Sequence, residues 1–163
     1  MSSQIETTGS RNANGASDET EEFVTFTIAG QLFGIPVLQI QDVLSSYQIT
    51  PIPLAPPEIT GSLNLRGRVV TAMDLRLRLG LSARSKEAES MSIVAENEGE
   101  LYSLMVDSVG EVLALSKSAY ERNPPTLDAK FRTFSDGIYR LDKQLLVVLD
   151  VNRLLDYERS DAA

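Results

Sequence analysis

The chain has 163 residues, a formal net charge of −8, 42% hydrophobic residues, and neither cysteine nor histidine. That length fits one ordinary domain, and the missing cysteines exclude disulfides and thiolate metal sites and agree with a reducing compartment. The missing histidines remove the commonest general base and zinc ligand, no run approaches the ~20 apolar residues of a membrane span, and the polar N-terminus is no secretory signal.

Residues 1–21 are rich in Ser, Thr, Asn, Gly and Glu, lack apolar periodicity and read as a disordered acidic tail, with order expected from Glu22. Half of the net charge lies in residues 1–22, where five acids face only Arg11. The remainder is mildly acidic, which argues for solubility and against phosphate-backbone binding.

Val24, Phe26 and Ile28 alternate with threonines, predicting a half-buried strand. Ala29-Gly30-Gln31 then turns the chain into a second strand over 32–35. Val37, Ile40, Val43 and Leu44 fall on one helical face, so a short helix or turn is expected there, with Pro36 in its first turn. Four prolines between 51 and 57 predict a stiff connector, and 49–52 a short edge strand. Residues 63–66 and 68–73 flank Gly67 and predict a tight hairpin; Asp74 is placed to cap a short helix over 75–79 that Gly80 can end.

Residues 81–89 form a charged loop. Strand, Asn97-Glu98-Gly99 turn and strand follow over 91–106, with a further strand or turn over 109–115. Residues 116–136 contain Pro124-Pro125 and little pattern. A last hairpin over 137–149 leads to Asp150, a second capping position. The tally is about ten short strands with frequent turns, which favours small barrels.

The chain also echoes itself. Residues 30–44 recur 69 positions later as 99–113, sharing Gly, Leu, Val, Val and Leu. Gly61, Leu65, Asp74 and Leu79 recur 76 positions later as Gly137, Leu141, Asp150 and Leu155. Two halves, about 22–80 and 90–157, would each be marginal alone and should share a core, giving two five-stranded barrels packed on each other. Residues common to both halves, Gly61 with Gly137 and Asp74 with Asp150, read as scaffold. Asn64 and Arg66 point outward beside the Gly67 turn and have no like counterpart. An arginine fork on a rigid edge suits a partner's carboxylates or carbonyls, and an exposed strand pair with a local salt bridge is the alternative.

Asn64-Leu65-Arg66-Gly67, followed by a strand and Asp74-Leu75-Arg76, resembles the CheW family of bacterial chemotaxis adaptors. Residues 23–26, Phe33-Gly34-Ile35-Pro36-Val37, Pro51-Ile52-Pro53 and Leu104-Met105-Val106-Asp107-Ser108-Val109 extend the resemblance over roughly 22–157. Thr71-Ala72 departs from the family's usual apolar residue and proline. The resemblance implies a mainly β fold of two five-stranded, SH3-like barrels around a shared core, with a few short helices. It implies a cytoplasmic, non-enzymatic adaptor, recruited to membrane-bound receptor arrays without inserting in the membrane. Its expected partners are a CheA-type histidine kinase regulatory domain and a chemoreceptor cytoplasmic tip, with no cofactor or metal.

Carried over by motif position, the partner contacts are Ile40, Asp42, Asn64, Leu65, Arg66, Gly67, Val106 and Asp107. Ile40 is equally readable as core, because Val109 echoes it, and Asp107 as the start of a turn. Residues 158–163 are a C-terminal tail. An adaptor in a related non-flagellar system, for surface motility or second-messenger control, is the alternative function. A β-barrel nucleic-acid-binding module is weaker, since the Arg66, Arg68, Arg76 and Arg78 patch has no interleaved aromatics. An enzyme is weaker still: Glu87/Glu89 and Glu96/Glu98/Glu100 look solvated, and no phosphate loop or acidic cluster supports a magnesium site at Asp107 and Asp150.

Overall fold

The computed structural model describes residues 19–45, 47–84 and 90–156. Residues 1–18 of the tail expected over 1–21, the tail expected over 158–163, and the Glu87/Glu89 pair lie outside the described residues.

The chain forms two antiparallel hairpins per half, joined by single-turn helices. In chain order they are β1 (Thr20–Ile28), β2 (Gln31–Pro36), a 3₁₀ turn (Val37–Gln39), β3 (Ile40–Leu44), β4 (Ile59–Leu65), β5 (Arg68–Asp74) and α1 (Leu75–Arg78). The second half supplies β6 (Met91–Asn97), β7 (Glu100–Val106), β8 (Ser108–Ser116), a 3₁₀ turn (Lys117–Ala119), β9 (Glu121–Arg122), α2 (Ala129–Arg132), β10 (Gly137–Arg140), β11 (Leu145–Val148) and α3 (Val151–Leu154). β1 starts two residues before Glu22, because Thr20 and Glu21 already pair with Ser116 and Leu115. The helix expected from Val37 stops after one 3₁₀ turn, and Ile40–Leu44 instead pairs with β6 as a strand. The edge strand expected over 49–52 is reduced to one bridge, Thr50 to Ser62.

Three hairpins turn on an X-Gly pair with positive φ at both residues: Ala29-Gly30, Arg66-Gly67 and Glu98-Gly99. That backbone matches the twist of the flanking strands and favours glycine.

The strands build a six-stranded sheet, β9-β10-β11-β2-β1-β8, and a five-stranded sheet, β3-β6-β7-β5-β4. The halves interlock. The first half's β1–β2 hairpin lies in the second half's sheet, and the second half's β6–β7 hairpin lies in the first half's. The duplication holds at the level of register. Thr71 stands opposite Tyr102 across the parallel β5/β7 pair, and their echoes Val147 and Phe33 stand opposite each other across β11/β2. Each sheet curls without its edge strands pairing, so the expected barrels are open, and neither is made from one sequence half alone.

A shared core fills the space between the sheets, including Phe26, Phe33, Ile35, Met73, Leu104 and Val147 with Leu75 of α1, Leu79 at its C-terminal end, and Val151 and Leu154 of α3. The outer face of each sheet wraps its own small cluster. Leu63, Val70 and Leu101 centre one, and their echoes Tyr139, Leu146 and Leu32 belong to the other. Burial of these side chains is the dominant stabilising term.

Candidate partner-binding surface

The Asn64–Gly67 motif sits at the tip of the β4–β5 hairpin. Leu65 pairs with Arg68, leaving Arg66 and Gly67 as a two-residue loop with φ of +52° and +85°. A left-handed arginine is unfavourable by ~1–2 kcal/mol, and the surroundings hold it there. Gly67 N–H donates to Asn64 Oδ1 at 3.0 Å, so Asn64 braces the turn. The Arg66 guanidinium donates to Asp42 Oδ2 at 2.7 Å, while Asp42 Oδ1 accepts from Val43 N–H. The Arg66 side chain remains 74% exposed. Hydrogen bonding from Arg66 holds the Asp42 carboxyl below its usual pKa.

This ion pair spans the open seam of the five-stranded sheet. β3 and β4 are its two edges, with no strand pairing between them, and Arg66 reaches from one edge to Asp42 on the other. Below the pair, Leu44, Tyr47, Gln48, Thr50, Leu63, Asn64 and Leu65 line a groove of about 430 Å³. Val69 and Val43 are exposed nearby in sequence, on β5 and β3. A braced cation beside an apolar groove can seat a protein surface that carries both apolar and acidic groups.

The other expected contacts fall elsewhere. Ile40 is half-buried against the shared core, as is its echo Val109. Val106 is fully buried there, turned inward by the alternation of β7. Asp107 is held by donors of the protein itself while its side chain stays 24% exposed. Arg76 donates twice to it, through Nε at 2.9 Å and Nη2 at 2.7 Å. Arg84 donates from Nη2 at 3.1 Å, and Ala29 N–H at 2.8 Å. These donors, Arg76 foremost, lower the Asp107 pKa to about 2.

Arg84 also reaches Asp74 Oδ2 at 3.4 Å, so one clasp ties α1, the inter-half loop, the β1–β2 turn and the β7–β8 junction. Asp74 Oδ1 accepts from Arg76 N–H, and Asp150 Oδ1 from Asn152 N–H, each at 2.9 Å, capping α1 and α3. Gly61 and Gly137 serve close approach. A Cβ on Gly61 would lie 2.2 Å from the Thr50 carbonyl oxygen, and one on Gly137 2.2 Å from Tyr120 Cζ.

The four-arginine patch does not exist as one surface. Arg76 belongs to the clasp, and Arg78 donates to the Leu154 and Arg153 carbonyls at the end of α3 while lying 4.9 Å over the Phe134 ring. Sequence reasoning missed Arg84, because a lone arginine in a charged loop gives no periodic signal. Among the described residues no group of three His, Cys, Asp or Glu could hold a metal ion, and no helix is long and apolar enough to cross a membrane.

The chain matches the family model for the CheW-like domain over residues 22–159. It is 28% identical to the probable chemotaxis protein CheW of Rhizobium etli, over 87% of this chain and 92% of that one. It is 25% identical to Protein PilI of Pseudomonas aeruginosa, over 76% and 70%. Among solved structures, the scaffolding protein TtCheW of Thermoanaerobacter tengcongensis superposes with a TM-score of 0.75 at 31% identity, covering 84% of this chain and 93% of that one.

Proposed function

Because the chain belongs to the CheW-like domain family, whose members are non-catalytic scaffolds and adaptors, we propose that it couples chemoreceptor cytoplasmic tips to a CheA-type histidine kinase. It acts in the cytoplasm, within membrane-bound receptor arrays, by holding both partners on different faces of one rigid body. Simultaneous binding raises the effective concentration of kinase at receptor, and a receptor's conformational bias passes through any contact whose strength differs between states.

The observation that carries this reading is Arg66. It is exposed, braced by Asn64 and Asp42, and kept in a backbone conformation that glycine would fill more easily. Its exposed ion pair is worth only about 0–1 kcal/mol, so fold stability is a poor reason for the arrangement. Ile40, Asp42, Asn64, Leu65, Arg66 and Gly67 make up the proposed contact region, with Ile40 contributing its exposed part.

Calorimetry of Arg66→Glu against the kinase regulatory domain and a receptor tip tests the proposal. The expected result is at least about tenfold weaker binding of one partner with an unchanged unfolding transition. Equal affinity for both partners overturns it. A second reading, the same adaptor in a related non-flagellar system, is supported by the relative PilI, which matches without carrying a chemotaxis name. Assay against kinase and receptor pairs from each system separates the two.

A further inference from the structure

The two sheet ends are not equivalent. At the first half's end, the groove described above is floored by Leu63, and its one tyrosine, Tyr47, is satisfied by Ser90 at 2.7 Å. At the second half's end, Tyr139 takes the place of Leu63 and opens onto a separate cavity of about 350 Å³. Phe23, Tyr120, Tyr139, Pro36 and Val148 line it, with Glu21 and Lys117 at its edge. Three aromatic rings form one wall system: Phe23 meets Tyr139 edge-on at 5.5 Å, and Tyr120 meets Tyr139 at 5.4 Å. Gly137 makes that wall possible, since a side chain there would collide with the Tyr120 ring.

Three polar side-chain groups of this cavity lack protein partners among the described residues: the Tyr120 and Tyr139 hydroxyls and the Glu21 carboxylate. Tyr139 is only 3% exposed, yet its hydroxyl has no hydrogen-bond partner there. The hydroxyl is not sealed from solvent, and a phenol that lines an open cavity without a protein partner is free to bind what enters. The carboxylate of Glu21, half-buried on β1, likewise has no cation. Lys117, which also lines the cavity, directs its ammonium to Glu19 at 3.4 Å. Burial and then Asp136 raise the pKa of Tyr120, and burial and then Glu21 raise that of Tyr139. Arg153 acts on Tyr120 in the sense opposite to its acidic neighbours.

Aromatic faces attract cations, and a carboxylate at their edge adds to that attraction. We infer that this cavity is a binding site for an organic cation, an alkylammonium or guanidinium head group seated against Phe23, Tyr120 and Tyr139 with its charge toward Glu21. The head group is either free or the end of a partner's lysine or arginine side chain. An anion would face the uncompensated carboxylate, and a purely apolar group would leave Glu21 and the Tyr139 hydroxyl unpaired.

The test is NMR of the tyrosine ring signals of the full chain, assigned with Tyr120→Phe and Tyr139→Phe. The probes are choline and acetyl-arginine amide, each beside a neutral counterpart, dimethylbutanol and acetyl-citrulline amide. The expected result is saturable shifts of the Tyr120 and Tyr139 signals with at least one cation and none with its neutral counterpart. In Glu21→Gln the affinity should fall about fivefold or more, with the other ring signals unmoved as the control for folding. Preference for the arginine probe assigns the site to a partner's side chain, and equal or better binding of choline to a free cation. No saturation with either cation, equal binding of the neutral counterparts, or unchanged affinity in a folded Glu21→Gln protein overturns the inference.

Discussion

Two arginine–aspartate pairs in this chain close at the same 2.7 Å, Arg66 with Asp42 at a hairpin tip and Arg76 with Asp107 where the sheets meet. Their surroundings differ. Arg66 is 74% exposed and makes one bond to its aspartate, whereas Arg76 is 21% exposed, binds in a fork, and shares Asp107 with Arg84 and a backbone N–H. Water screens the first pair and leaves its guanidinium available to another molecule. The second is partly desolvated, and all three of its guanidinium nitrogens donate within the protein. Charge type and distance therefore do not say whether an ion pair serves recognition or architecture; donor count and access to water do.

The largest expected effect is on the clasp. Asp107→Ala leaves two partly buried guanidinium groups without their shared acceptor and should destabilise by about 2–3 kcal/mol, read as a lower urea midpoint. Loss of under 0.5 kcal/mol would place Asp107 with Asp42 instead. The two caps offer a finer contrast. Asp150→Ala should cost about 1 kcal/mol. Asp74→Ala should cost more, because Asp74 also receives Arg84; equal losses in thermal unfolding would remove Arg84 from the clasp.

Acid should tell the same story. Asp107 is lowered from 3.8 to about 2, so its contribution is fully present above about pH 4 and is lost as pH falls toward 2. Asp107→Asn should flatten the stability curve in that window by about 1 kcal/mol once solvent screening is allowed for. An unaltered slope in urea titrations at successive pH values would count against the clasp. The smallest effect has the opposite sign. Arg66→Gly should relieve the left-handed backbone and raise stability by about 0.5–1 kcal/mol while weakening partner binding. A destabilised Arg66→Gly would mean that the seam-closing pair matters to the fold after all.

The hairpins were legible because an X-Gly pair between alternating apolar runs is a strong local signal, as at Ala29-Gly30 and Glu98-Gly99. β3 was misread for a physical reason. A 3₁₀ turn precedes it, and a bulge between Ile40 and Asp42 breaks the two-residue alternation, so Val37, Ile40, Val43 and Leu44 imitate a helix. The segment from 116 to 136 was illegible because its elements are too short to show a period; it is held by single bonds such as Asn123 to the Ser135 carbonyl and Arg132 to the Leu127 carbonyl. At the candidate site, Arg66 and Asn64 stood out by having no echo. The Arg66 bond to Asp42 did not, since the curl of the sheet brings its edges together and no local pattern records that. Tyr139 echoes Leu63 as another inward position, and nothing in the echo marks the hydroxyl that distinguishes them.

The exchange of hairpins between halves bears on how the chain acquires its shape. The Gln31 amide donates to the carbonyl of Leu145, 114 positions later, and β2 lies parallel to β11. A nascent chain on the ribosome thus displays its first hairpin long before the strand that completes its sheet has been made. Such distant pairings slow folding. They also make it all-or-none: a fragment cut at the midpoint owns no finished sheet, and a chain competent to fold has been copied through its last hairpin.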